Sequence, residues 1–182
     1  MDLTDLPERL QRLRRHRVRN LLPFGMRLQE AVSEVYDRGI WFSEFDGGFQ
    51  DGGCLIFASA LSLWSKGQIG LKAIYCRTIQ GIPQHVVGCL GPLLFDSDGV
   101  GTDLDLIRKI RKYSGLQAPY VGPYELIDTD DCDKPIPYRQ ALVDYMSAEF
   151  TSILGSFNYA AIVSGLMPVS PFPSLSSFPK PQ

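Results

Sequence analysis

The sequence of 182 residues is poor in the residues that metal and redox chemistry require. It holds 2 histidines and 4 cysteines, and the cysteines, at positions 54, 76, 89 and 132, include no CxxC pair. A structural zinc site needs Cys or His ligands paired at short spacing. No metal is therefore expected, and no other cofactor. No apolar run reaches the ~18–20 residues that cross a bilayer as a helix, so no membrane span is expected. Charge of one sign is also missing: 18 Lys and Arg against 20 Asp and Glu leave a net −2 at pH 7. That balance argues against nucleic acid or an anionic membrane as the partner of the whole surface. The opening residues, Met1-Asp2-Leu3-Thr4-Asp5, are acidic with no continuous apolar stretch behind them, so no secretory leader is expected. The cysteines then read as reduced thiols in a cytoplasm, and Cys76 and Cys89, inside strand-like runs, as small buried hydrophobes.

The composition, 45% hydrophobic, 21% charged and 11% aromatic, suits one globular domain large enough to bury a core. Three parts are expected: a helical segment over 1–39 packed on the core, a core over 40–166, and a Pro- and Ser-rich tail over 167–182 that cannot pack alone. Leu6, Leu10 and Leu13 recur at helical spacing among arginines, and Pro23 ends or interrupts that segment. A second helix is predicted over Phe24–Arg38, its apolar side formed by Met26, Ala31, Val32 and Val35, with Gly39 closing it. Between Ile40 and Gly53 the aromatics and glycines describe a loop pinned to the core. CLIFASALSLWSK, from Cys54 to Lys66, has a helical face of Phe57, Ala58, Leu61 and Trp64, stopped at Gly67. Strand-like runs follow over Leu71–Ile79, Gln84–Leu90 and Leu93–Asp96, the last two forming an antiparallel hairpin across Gly91-Pro92. Thr102 or Asp103 caps a helix that ends near Gly115. A short strand within Tyr120–Ile127 and an amphipathic helix over Tyr138–Leu154 complete an α+β domain, in which the helix that opens at Cys54 packs on a small antiparallel sheet.

Nucleophilic cysteine chemistry needs a thiolate, a base that makes it and a group that orients the base. Cys54 follows Asp51-Gly52-Gly53, where two glycines let the backbone turn sharply, and it opens an apolar helix. A helix N-terminus favours the thiolate, and its free N–H groups can receive an oxyanion. Of the two histidines, His16 lies in the solvated run RLRRHRVR, whereas His85 starts the strand HVVGCL. Side chains alternate along a strand, so His85, Val87 and Cys89 share a face. A hairpin turning within Leu90-Gly91 pairs His85 with Asp96. One turning on Gly91-Pro92 pairs it with Asp98 and leaves Asp96 on the diagonal. Asp96 is the preferred orienter, because Asp98 precedes Gly99 and suits a turn. Gln50 or the Cys54 backbone N–H is the expected oxyanion donor, and Trp41 and Phe49, with Gly52 and Gly53, the expected substrate wall.

The set GGC…QHVV…LFDSDG, spanning Phe49 to Thr102, resembles the papain-like clan in its transglutaminase-like and circularly permuted branches, and is similar to bacterial cell-wall amidases of that clan. The resemblance implies Cys54 as nucleophile, His85 as base and Asp96 as orienter, with hydrolysis or acyl transfer at an amide, isopeptide or ester through a thioester. This sequence departs from the transglutaminase pattern in having Val86 after the histidine and a shorter His–Asp interval. A cytoplasmic setting favours a protein or peptide substrate.

The alternative from another class is a binding or inhibitory protein on the same fold, such as a phage or bacterial conflict-system accessory. It would meet a protein partner through the basic helix Arg9–Arg19 or the C-terminal tail. Asp128–Asp133 is not a calcium loop, for it lacks the sixth-position glycine and Arg139 stands where the twelfth-position glutamate belongs. GVGTD at 99–103 is not a P-loop, because no Lys-Ser or Lys-Thr follows it.

Overall fold

A computed structural model describes residues 23–37, 53–125 and 136–160. Among them the chain is α+β, with helices α1 (Pro23–Asp37), α2 (Cys54–Trp64), α3 (Asp103–Ser114) and α4 (Ile136–Leu154). The strands are β1 (Gly70–Cys76), β2 (Ile79–Leu90), β3 (Leu93–Asp96), β4 (Gly99–Thr102) and β5 (Pro119–Pro123). They form one sheet in the order β4-β3-β2-β1-β5, antiparallel at every pairing. No helix among the described residues is long and apolar enough to cross a membrane.

Alternation along the strands sorts the core into two layers. Leu90, Leu93 and Phe95 face a large cluster built with α1, α2 and α4, whereas Val87 and Leu94 face a smaller one with Leu106 and Ile110 of α3. Trp64 joins the three helices of the larger layer. Its ring stacks on Phe24 at 6.2 Å, meets Phe150 and Phe157 edge-on at 6.3 and 5.2 Å, and donates through Nε1 to the Gly155 carbonyl at 2.9 Å. A buried indole has to place its N–H as well as its area, and here it does both.

The expected face of α2 is buried in full. Its C-terminus is closed by Gly67 at φ 80, whose N–H returns to the Ser62 carbonyl at 2.8 Å. The hairpin turn falls on Gly91-Pro92, with Gly91 at φ 59, the sign a two-residue hairpin asks of its first central residue. Thr102 caps α3 in a capping box, and Gly115 ends it in the left-handed conformation.

Three expectations are corrected and one strand is added. Pro23 begins α1 instead of only ending the segment before it, as a proline with no N–H to lose can. Met26, assigned to the apolar side of α1, is 52% exposed, while Phe24 and Leu28 take the inner positions. β1 stops at Cys76, because Arg77-Thr78 turns the chain into β2, which starts at Ile79 and reaches Gln84 through an irregular stretch. Gly99–Thr102, for which no element was expected, is a strand. Its glycines carry low strand propensity, so only its pairing with β3 reveals it.

Candidate active site

Cys54 is the first residue of α2. Gly53 before it serves as N-cap at φ −80 and ψ −7 with no side-chain cap. Gly53 thus offers no side chain of its own to the first-turn amides, which lack intrahelical acceptors. The sulfur meets the sheet instead: the Val86 N–H donates to Cys54 Sγ at 3.5 Å.

The reason that amide is available lies in the hairpin. With Leu90 and Leu93 closing a two-residue turn, the backbone groups of Leu90, Gly88 and Val86 point towards β3, and those of His85, Val87 and Cys89 towards β1. β3 ends at Asp96, one residue short of Val86's position in the register. The ladder therefore leaves the Val86 N–H without a strand partner, and the thiol takes it. Cys54 is thus seated against the peptide that joins His85 to Val86.

His85 pairs with Ile74 of β1 immediately after a shift in register, Tyr75 being opposite Pro83. Gln84 is the extra residue, a bulge where Pro83 has no N–H to give a ladder. Sharing the face of Ile74 and Val87, His85 points to the α3 side and is 7% exposed. It lines a cavity of about 340 Å³ with Gln84, Lys109, Ile110, Tyr113, Ser114 and Leu116. Cys54 is not among the described residues lining that cavity; the Val86 amide is its contact with β2 next to His85.

Asp96 ends β3 on the α3 side, the face of His85, as expected. Continued past Gly88 and Phe95, the register sets Asp98 opposite His85 and Asp96 opposite Val87, the second of the two alternatives. Asp98, however, is a turn residue between Asp96 and Gly99. Its N–H donates to Asp96 Oδ1 at 2.9 Å, and its carbonyl accepts from the side chain of Gln29 on α1. Lys109, one cation among four on α3, donates to Asp96 Oδ2 at 2.9 Å and pairs with the Asp98 carboxylate. Asp96 therefore holds a lysine and a turn amide. Each of its oxygens keeps a second lone pair, enough to accept an imidazole N–H. An α3 position at which Lys is spaced with Leu106 and Ile110 on the inner face was the only sequence signal for this ion pair.

The remaining described thiols differ from Cys54. Cys76 is buried, donates to the Gln117 carbonyl at 2.7 Å and contacts Thr78 Oγ1 at 2.8 Å. Burial pushes the Cys89 thiol above its ordinary range; the Lys72 charge and a backbone hydrogen bond at Gly70 only partly offset this. Trp41, Phe49, Gln50 and Gly52 lie outside the described residues, as do Cys132, the Asp128–Asp133 turn, the Arg9–Arg19 run and the 167–182 tail. Gly53 is buried beneath the helix start. Among the described residues no three His, Cys, Asp or Glu side chains cluster so as to hold a metal ion. Compared with protein-family models, curated proteins and solved structures, the chain has no significant match.

Proposed function

We propose that this chain is a cysteine-dependent hydrolase or acyltransferase of papain-like or transglutaminase-like type, acting on an amide, isopeptide or ester carbonyl of a protein or peptide in the cytoplasm. The observation that carries the reading is the seat of Cys54: first residue of α2, its sulfur receiving the N–H of the residue after His85. A helix N-terminus and an amide donor both favour the thiolate over the thiol. In the proposed reaction His85 takes the Cys54 proton, the thiolate attacks the carbonyl carbon, and the C–S bond forms as the carbonyl electrons move to oxygen. First-turn N–H groups of α2 receive that oxyanion. Collapse expels the amine or alcohol with the proton from His85, and water or an acceptor amine then releases the acyl group from sulfur. Asp96 orients the imidazole, and no cofactor takes part.

The test is the rate of iodoacetamide labelling of each cysteine against pH, read by peptide mass spectrometry in wild type and His85→Ala. Cys76 and Cys89 are internal references. Cys54 is expected to label at least about tenfold faster than either at pH 6, and to lose that advantage without His85. Equal rates, or a Cys54 rate indifferent to His85, would reject the reading.

One observation favours a second reading, a binding or inhibitory protein that keeps the fold without turnover. Asp96 is paired with Lys109, and the cavity at His85 is lined without Cys54. On that reading Cys54 labels no faster than the reference thiols, and the protein partner is met elsewhere on the chain.

A further inference from the structure

Helix α3 carries Arg108, Lys109, Arg111 and Lys112. The other three are exposed, but the Lys109 side chain retains only 6% of its accessible surface. Taking an ammonium and a carboxylate out of water is expensive, and an apolar residue of similar volume at such a site is often neutral or better for stability. Leu106 and Ile110 beside it show that this face of α3 readily packs aliphatic side chains. Closing the β3–β4 turn does not need the lysine either: the Asp98 N–H to Asp96 and the Gln29 amide to the Asp98 carbonyl already hold it.

What an aliphatic residue cannot do is hold two neighbouring carboxylates, Asp96 and Asp98, in place next to the cavity that His85 lines. Lys109 contacts both carboxylates and lines the His85 cavity as well. The ionisable groups lining the cavity beside His85 are Lys109 and Tyr113 from α3, while Asp96 and Asp98 line the neighbouring hollow with Asp105 and meet the cavity through Lys109. Cys54 comes from α2 at the margin of β2, and β1 sets Ile74 opposite the histidine and Lys72 opposite Val87 on the same face. We infer that Lys109 is a positioning residue for the Cys54 site: by contacting both carboxylates while lining the His85 cavity, it locks the Asp96 carboxylate in one orientation beside the histidine's wall. The inference rests on the function proposed above, and it adds a residue that acts only through Asp96.

The experiment uses the full chain and the labelling profile of Cys54 between pH 5 and pH 9. Lys109→Met is expected to slow Cys54 at pH 6 by about tenfold and to move the rise of its profile towards that of an ordinary thiol. Lys109→Arg, which keeps the charge and can contact both carboxylates, is expected to stay within about threefold of wild type. In an Asp96→Asn background, Lys109→Met should change nothing further. If Lys109→Met exposes Cys76 and Cys89 to rapid labelling, it has unfolded, and Lys109→Met/Asp98→Asn takes its place with the same expected loss. A folded variant with a wild-type Cys54 profile overturns the inference. Unfolding of both variants overturns it too, because Lys109 is then a determinant of the fold. A wild-type Cys54 that ignores His85 instead removes the function itself, so the two failures are distinguishable.

Discussion

Gly88 sits where α2 crosses the sheet, and filling its missing side chain measures how tightly the helix that opens at Cys54 is seated. A Cβ built there meets Ile69 Cγ2 at 2.9 Å, Leu61 Cδ1 at 3.3 Å and Phe95 Cβ at 3.4 Å. Carbon atoms rest at about 3.5–4.0 Å, so the first contact is an overlap of more than half an ångström. Leu61 Cδ1 is the end of a flexible side chain. Ile69 Cγ2 is branched from Cβ on a residue with no exposed surface, and cannot swing aside. The backbone raises no objection, for Gly88 is not among the glycines with positive φ. Gly88→Ala thus gains about 0.4–1 kcal/mol from a less flexible unfolded chain against about 1–3 kcal/mol of overpacking. The expected net loss is about 1–2 kcal/mol, read as a lower urea midpoint at unchanged slope. Ile69→Ala removes the clashing methyl, so the double variant should be more stable than the sum of the singles predicts, by about 1 kcal/mol. A Gly88→Ala protein as stable as wild type, or strictly additive singles, would refute this account of how α2 is seated.

Two further outcomes are expected. Thr102→Ala removes the hydroxyl that accepts the Asp105 N–H and donates to Asp105 Oδ2 at 2.8 Å. It should cost about 1–2 kcal/mol, or about 2–8 °C in Tm for a chain of this size. Thr102→Ser should recover most of it, and an unshifted Tm in the alanine variant would contradict the cap. For Cys89, burial raises the folded thiol above its ordinary value of 9.0. The unfolded chain therefore loses that proton first as pH rises. The stability that Cys89 contributes is intact below about pH 9 and is lost as pH climbs through the folded value. Wild type should lose stability more steeply than Cys89→Ala above about pH 9 in chemical denaturation, and parallel curves would oppose this.

The covered parts of the site differ in how openly the sequence announces them. Cys54 was legible because a glycine pair followed by an apolar run at helical spacing is a local pattern, and the helix begins at that residue. The same holds for Thr102 at the start of α3, Gly115 at its end, and the Gly91-Pro92 hairpin. His85 and Asp96 were placed on one face by strand alternation, which is also local once the turn is known. β4 was not legible, because two of its four residues are glycines and nothing but the adjacent strand defines it. Lys109 was not legible either, since four cations on one helix look alike until a turn 13 residues away in sequence accepts one of them.

What the sequence determined by itself is therefore where the capped and glycine-closed elements begin and end, α2, α3 and the Gly91-Pro92 hairpin, because capping, proline and glycine geometry and hydrophobic period act within a few residues. What only the tertiary structure decided is which groups meet. The Val86 amide reaches Cys54 across 32 residues because β3 ends one position too soon to claim it, and Lys109 reaches Asp96 because α3 folds back over β3. Both contacts are set by strand register and helix docking, which follow from packing of the whole core and are not written in any short stretch of chain.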